Sequence, residues 1–277
     1  VPTDARTLER AVRSHESPTG LQLATYALAE ASAPHHKVVL TGQGSDEILA
    51  GYPWYARERL TGAALSTAGL REDIQRFAGP RGMRTGTRLA ALLRPDLRRA
   101  FDAHVDSGWA FSPPDGFTRW NRIDRLSYVE AKTRLVGFII HGLDRVSMTH
   151  SQEARAPFLD HELVELCAAM PTSMRLRGLR NKFVLRESMR GRLPDEIRRR
   201  RKRGLRSPRP DPLSGPLREL FGDLLSETSL RDRGYFDPPA VAALVELARG
   251  GDHRSSRALS TVLGVQLWDE LFVRTAA

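Results

Sequence analysis

The sequence predicts an α/β protein that is mostly helical, with part of its sheet lying outside these residues. Three observations predict it. Apolar residues recur at helical spacing along most of the chain. A single segment, Lys37-Val38-Val39-Leu40-Thr41, reads clearly as a buried strand. That strand ends in a glycine turn that opens a helix, the order found in parallel sheets. A short apolar strand between helices belongs in a sheet covered on both faces. Standing alone, it would bury unpaired backbone groups at roughly a few kcal/mol each. Either some helical-looking segments are strands, or the partner strands lie on polypeptide beyond this sequence; the second is expected.

The elements follow in order. Gly20–Ser32 has helical apolar spacing, and the strand 37–41 ends at Gly42. Helical patterns then lie within Ser127–Met148 and His161–Met170, and recur in Lys182–Arg190, Val241–Arg249 and Arg257–Val273. Pro113-Pro114 and the run Ser207–Gly215 are breakers and mark loops. With 277 residues the chain suits one large domain or two small ones, and no repeat or long linker divides it. A content of 40% hydrophobic and 27% charged residues excludes wholesale disorder. Cys167 is the one cysteine, which excludes an internal disulfide and fits a reducing compartment, so a cytoplasmic location is expected. The longest nearly apolar run, Leu135–Leu143, is less than half a membrane span, and no transmembrane helix is predicted. The start, VPTDARTLER, has no apolar signal core and no initiator methionine. A processed product, or part of something longer, is expected. The histidines, His35-His36 included, show no metal-binding spacing.

The net charge of +10 is concentrated. Arg175 to Arg209 carries 15 Lys or Arg against three acids, Glu187, Asp195 and Glu196, and the remainder is slightly acidic. Such a stretch reads as an anion site, a nucleic-acid patch or a solvated helix face. Phe183 is its only aromatic residue, so a base-stacking platform is missing and nucleic acid is disfavoured. Lysine is scarce: Lys37, Lys132, Lys182 and Lys202 stand against 39 arginines. Lys202 sits inside RRRRKRG. An ammonium is a compact charge that can approach a reacting atom, whereas guanidinium is a broad fork. Chance placement is the plain alternative.

After the strand the chain reads TGQGSDEILAGY, from Thr41 to Tyr52. Glycines let backbone approach a ligand, and a helix start presents free N–H groups. No Gly-Lys-Ser/Thr follows, so this is not a P-loop, and Glu47 stands where a dinucleotide fingerprint has Gly or Ala. Asp46 and Glu47 would repel a bare polyphosphate and make sense if Mg2+ lies between them. They equally suit a helix start, Asp46 as cap and Glu47 in the first turn. Further on comes DRVSMTHSQEARAPFLDHELVE, from Asp144. Glu153, Arg155 and Asp160 there read first as a buried ion-pair network anchoring a helix pair, with Asp160 capping a helix from about His161. A third block, KFVLRESMRGRLPDEIRRRRKRGL, runs from Lys182.

These three blocks, in this order, resemble the synthetase half of the glutamine-hydrolysing asparagine synthetases. The likeness extends from about residue 37 to 205. Beta-lactam synthetases and lasso-peptide cyclases share the scaffold, so the likeness indicates chemistry better than substrate. It implies the adenine-nucleotide alpha-hydrolase-like (PP-loop ATP pyrophosphatase) fold, with residues 1–277 as the C-terminal part of a synthetase domain. It implies ATP-dependent amide formation with ATP and Mg2+: a carboxylate attacks the α-phosphate, and an amine or ammonia then attacks the acyl-adenylate. In ordinary members that converts aspartate to asparagine; an intramolecular amide-former is the alternative. By this likeness Asp46 ligates Mg2+, Lys202 stabilises charge on the reacting oxygens, and Gly42, Gly44 and Ser45 line the nucleotide and substrate pocket. Glu47 places substrate or holds the loop, while Arg155 and Asp160 are supporting residues. Two departures stand out. The Ser-Gly-Gly-x-Asp-Ser-Ser loop is absent and is expected N-terminal to residue 1, with further strands and possibly a glutaminase domain. Gln43 stands where asparagine synthetases usually carry Glu, and an amide cannot act as a base. A catalytic role for Gln43 would thus be limited to hydrogen bonding. The expected partners are the carboxylate substrate, the nitrogen donor and that N-terminal polypeptide, with a homodimer left open. A non-catalytic remnant of the scaffold is the reading from another class.

Overall fold

The computed structural model describes residues 4–18, 23–61, 90–106, 113–200, 202, 215 and 217–274. In chain order the elements begin α1 (Ala5–His15), α2 (Leu23–Ser32), β1 (Val38–Leu40), α3 (Ser45–Ile48), α4 (Pro53–Thr61) and α5 (Pro95–Asp106). Then come α6 (Arg122–Glu130), α7 (His141–Thr149), β2 (Glu153–Arg155), α8 (His161–Ala169), α9 (Thr172–Arg175), β3 (Leu176–Arg177) and β4 (Arg180–Asn181). The last are α10 (Phe183–Ser188), α11 (Asp195–Arg199), α12 (Arg218–Leu224), α13 (Glu227–Arg233), α14 (Pro238–Arg249) and α15 (His253–Asp269). A π-helical stretch, Ala131–Ile140, joins α6 to α7 in one continuous rod. Helix starts carry the residues that accept orphan N–H groups: Asp4, Asn121, Asp160, Ser226, Asp237 and Asp252. Of the two predicted loops, Pro113-Pro114 leads without regular structure into a 3-10 turn at Phe117–Arg119, and 207–214 lie outside the described residues. Among the described residues no helix is long and apolar enough to cross a membrane.

The sheet corrects the sequence reading twice. β1 has a partner within the chain: it pairs in parallel with β2, Val38 opposite Glu153, Val39 opposite Ala154 and Leu40 opposite Arg155. Glu153 and Arg155 are therefore strand residues, not a buried network between helices. They form an exposed ion pair at 2.9 Å, and only Ala154 between them turns inward. Three residues with two charges leave no apolar signal to read. Nor is β1 buried, since Leu40 is 74% and Val38 43% exposed. Gln152, buried just ahead of β2, sets the register. Its amide donates to the His36 carbonyl at 2.8 Å, and its oxygen accepts from the Ser32 hydroxyl at 3.0 Å. The end of α2, the approach to β1 and the entry to β2 are thereby joined.

Three cores matter for the site. Ala50, Tyr55, Phe117, Ile123, Leu126, Val129 and Leu176 pack between α4 and α6. Ile48, Leu49 and Cys167 pack with Phe158, Val164, Val184 and Leu185. Consecutive residues of the α3 turn thus enter two different cores, which clamps the turn from both sides. A third core joins α1, α2, α7, α12 and α15. His15 is buried beside it, and neither ring nitrogen has a hydrogen-bond partner.

Two measurements check this packing. Leu126 is fully buried, so Leu126→Ala should cost about 3 kcal/mol in urea unfolding, while Leu40→Thr changes stability by less than about 0.5 kcal/mol. Burial, and then the neighbouring His141, hold the His15 pKa below the ordinary 6.5. The unfolded chain binds that proton first, so stability should fall as pH drops below 6.5, and His15→Leu should flatten that part of the profile.

Candidate functional site

The glycine turn after β1 is shaped by what packs against it. Gly44 lies at φ 87, and a Cβ there would stand 2.2 Å from Leu159 Cδ2, so both conformation and space require glycine. Ser45 opens α3 and donates to the Gly42 carbonyl at 2.7 Å, closing the turn. Gly42 is exposed at its rim and Gln43 is half-buried. Asp46 follows, its side chain turned toward the basic stretch.

The basic stretch meets Asp46 there. Lys202 Nζ lies 2.8 Å from Asp46 Oδ2, and Lys182 Nζ lies 3.0 Å from Asp46 Oδ1. Lys182 also donates to the Ser45 hydroxyl at 2.9 Å. Lys202, 156 positions from Asp46, and Lys182 thus share one carboxylate, with an ammonium at each oxygen. Lys182 is 16% exposed at its side chain and Lys202 28%. Burial pushes the Lys182 pKa down, and Asp46 pulls it back only in part. Asp46 Oδ1 is buried, with the Lys182 ammonium beside it.

Backbone contacts place Lys182. Its N–H donates to the Leu49 carbonyl at 3.1 Å, and the Asn181 side-chain amide donates to the Gly51 carbonyl. Lys182 itself sits at φ 49, a left-handed conformation costing roughly 1–2 kcal/mol in a non-glycine residue. Arg186 then reaches back from α10. Its guanidinium donates to the Asn181 carbonyl at 2.8 Å, to the Arg198 carbonyl at 2.7 Å and to the Arg200 carbonyl at 2.9 Å. One side chain therefore ties the Lys182 turn to the segment that delivers Lys202. Much of the basic stretch serves this scaffold: Arg198 pairs with Glu187 at 3.0 Å and with Asp195 at 2.9 Å.

Glu47 faces the other way. It is 1% exposed, and its Oε1 accepts from the Tyr52 hydroxyl at 2.7 Å and from Arg134 at 3.1 Å. The Ser127 hydroxyl donates to its carbonyl. Arg134 lies on the π-helical stretch, bridges to Glu130, and stacks 4.4 Å above the Tyr52 ring. Tyr52 in turn stacks on Trp54 at 4.2 Å and lies 6.0 Å from Lys202 Nζ. Burial raises the Tyr52 and Glu130 pKa values, and burial also opposes the Arg134 charge, which Glu130 restores. Asp160 caps α8 through the N–H groups of Glu162 and Leu163, away from this cluster.

The structure thus gathers Gly42, Gln43, Gly44, Ser45 and Asp46 on one turn, with Lys202 facing it. Sequence reasoning did not assign Lys182, Gly51 or Arg134 to the site. Lys182 carried a usable signal, as one of four lysines in an arginine-rich chain. Gly51 is required by approach: a Cβ there would stand 2.0 Å from Asp46 Oδ1 and 2.3 Å from Lys182 Cε.

Such a carboxylate between two ammonium groups, on a turn after a parallel strand, suits binding and activation of an anionic substrate. Comparison with known sequences defines the class. The profile described as Asparagine synthase matches residues 3–270, and the chain belongs to that family. It is 26% identical to the "Putative asparagine synthetase [glutamine-hydrolyzing]" of Mycobacterium tuberculosis, over 90% of this chain and 41% of that protein. It is 24% identical to "Asparagine synthetase [glutamine-hydrolyzing] 1" of Bacillus subtilis, over 89% and 42%. It is also 25% identical to "Amidase chry2" of Gibberella zeae, over 76% and 38%. The chain spans about two fifths of the length of these relatives.

Gly51→Ala tests the approach of the two turns. It should destabilise the fold by about 1–3 kcal/mol and separate Lys182 from Asp46, whereas Gly137→Ala, with open space around it and no positive φ, should cost less. Urea unfolding of both variants checks this.

Proposed function

We propose that this chain is part of an ATP-dependent amide ligase that activates a carboxylate as its acyl-adenylate and passes the acyl group to an amine. The observation that carries the reading is the convergence of Lys182 and Lys202 on Asp46 at the glycine turn. A carboxylate and a phosphate are both anions. Holding one unit charge about 4 Å from another costs about 4 kcal/mol at a partly exposed site. Two preorganised ammonium groups offset that repulsion, most strongly as charge shifts onto the oxygens between the reacting centres. Lys202, the more accessible, meets the reacting oxygens; Lys182, deeper and strapped to the backbone, holds the phosphates.

Mg2+ fits this turn in one way. Magnesium is held through one or two carboxylates together with substrate phosphates. Among the described residues no group of three or more His, Cys, Asp or Glu forms a protein cage, and Asp46 stands at the turn with its oxygens held by the lysine side chains, which can give way. Asp46 would hold the ion, which supplies neutralising charge for the phosphates. Gly42, Gly44 and Ser45 line the nucleotide, and Glu47 keeps the turn in place through Tyr52 and Arg134. Gln43 offers an amide to the substrate and cannot remove a proton. For that reason an intramolecular amide-former stands beside ordinary asparagine synthesis as a second reading.

The proposed fold is the PP-loop ATP pyrophosphatase type, with residues 1–277 as the C-terminal part of a synthetase domain. Among the described residues β1 and β2 pair only with each other, which leaves room for further strands; by the family likeness those strands, the phosphate-binding loop and a second carboxylate belong to polypeptide outside these residues. A carboxylate substrate, an amine or ammonia donor, and a reducing compartment complete the proposal.

Lys202→Ala should lower AMP and pyrophosphate release by the intact enzyme ~10²–10³-fold. Lys202→Arg should not restore it, because a fork cannot take the place of a compact ammonium beside Asp46. Turnover near the parent rate in either variant would remove Lys202 from the chemistry.

A further inference from the structure

Beside the two lysines lies a cleft of about 470 Å³ with an unusual lining. Its floor is Phe158, Leu185, Met189, Leu193 and Ile197, and the other lining residues are Lys182, Arg186, Arg198, Arg200 and Lys202. Among the described residues no acid lines the cleft, and Asp46 stands next to it, paired with the two lysines. Leu193 and Ile197 remain 44% and 45% exposed, so apolar surface faces the opening. The volume lies in the range of small-molecule sites. A site for polyphosphate alone has no use for such a floor, since apolar walls give phosphate no hydrogen bonds. Aspartate fits less well, because the acid beside this lining that its α-ammonium would reach, Asp46, already holds Lys182 and Lys202.

We infer that the acid activated here is an amphipathic anion: a carboxylate with an apolar body and no free ammonium beside it, such as a fatty acid or an N-acylated apolar residue. The inference rests on the proposed carboxylate activation and names its substrate class. The carboxylate points to Lys202 and Lys182, where it meets the α-phosphate, and the apolar body lies on Leu185, Met189, Leu193 and Ile197. Ile197 and Leu193 set specificity without touching the reacting atoms. Arg186 and Arg198 are occupied by backbone carbonyls and acids, so they shape the cleft rather than bind the ligand.

The test uses octanoate and aspartate as probes. Isothermal titration of this chain should give octanoate a Kd at least about tenfold below that of aspartate. Ile197→Asp and, separately, Leu193→Asp should each weaken octanoate about tenfold, with the circular dichroism spectrum and thermal midpoint unchanged, since both side chains face the opening. In the intact enzyme, Ile197→Asp should raise KM for octanoate in AMP release and leave KM for ATP in place. Equal or tighter binding of aspartate, or octanoate binding indifferent to both variants, overturns the inference. The two readings fail separately. Aspartate-dependent AMP release that needs Lys202, with no octanoate binding, sinks the substrate class and keeps the ligase. Octanoate binding that depends on Ile197, with AMP release indifferent to Lys202→Ala, sinks the activation chemistry and with it the assignment of octanoate as a substrate.

Discussion

Two backbone carbonyls carry the architecture of the site. The Leu49 and Gly51 carbonyls accept from the Lys182 N–H and the Asn181 amide, and through them the turn after β1 is bound to the turn before α10. The lysine contacts of the cluster presuppose that docking. It brings Lys182 Nζ to Asp46 and Ser45 and forces a bare Cα at position 51. It also fixes Asn181, onto which Arg186 closes before reaching the Arg198 and Arg200 carbonyls. Ala50 and Lys182, one on each turn, both lie at φ 49. Backbone strain of this kind persists only where the surroundings over-determine it.

The side chains divide their work by their partners. Lys182 and Lys202 share the Asp46 carboxylate, and an arriving anion can take its place as their partner. Beside them Glu47, Arg134, Glu130 and Tyr52 form a network anchored on the buried Glu47 and Glu130 carboxylates and satisfied without any ligand. Breaking such a network by removing one partner leaves a buried charge uncompensated, which is why it holds its shape. The rigid half keeps α3 from shifting, and the open half is left free to exchange partners. Arginine dominates the rigid half and the scaffold of the basic stretch, where its fork spans several acceptors at once. Lysine appears where a single compact charge must share one carboxylate.

How much of this could be read from residues alone follows from where the signals lie. Strand 37–41, the glycine turn and the helix it opens are contiguous, and local chemistry marks them. Asp160 announces the start of α8 in the same way, being a short acceptor before an apolar periodic run. Lys202 was legible through its rarity and its motif. β2 was not, because Glu153 and Arg155 face solvent and one alanine is all that turns inward. The burial expected of β1 failed for a related reason: its two-stranded sheet offers one neighbour only among the described residues. Lys182 and Gly51 depend on a contact across 130 positions between turns, and no local pattern encodes it. Arg134 lies within an apolar helical run, and only the geometry of the π-helical stretch shows it stacked on Tyr52.

The short β1–β2 ladder has a consequence for handling the protein. Among the described residues the two parallel strands leave an open row of amide and carbonyl groups on either flank, and Leu40 and Val38 add apolar surface beside it. Natural sheets mask such flanks with lysine and other charges, proline, a bulge or very short strands, and here Lys37, the three-residue length and the charges of β2 give that protection in part while β1 itself is Val-Val-Leu. Wherever these residues are present without a covering strand, self-association seeded at Val38–Leu40 competes with solubility and grows with concentration.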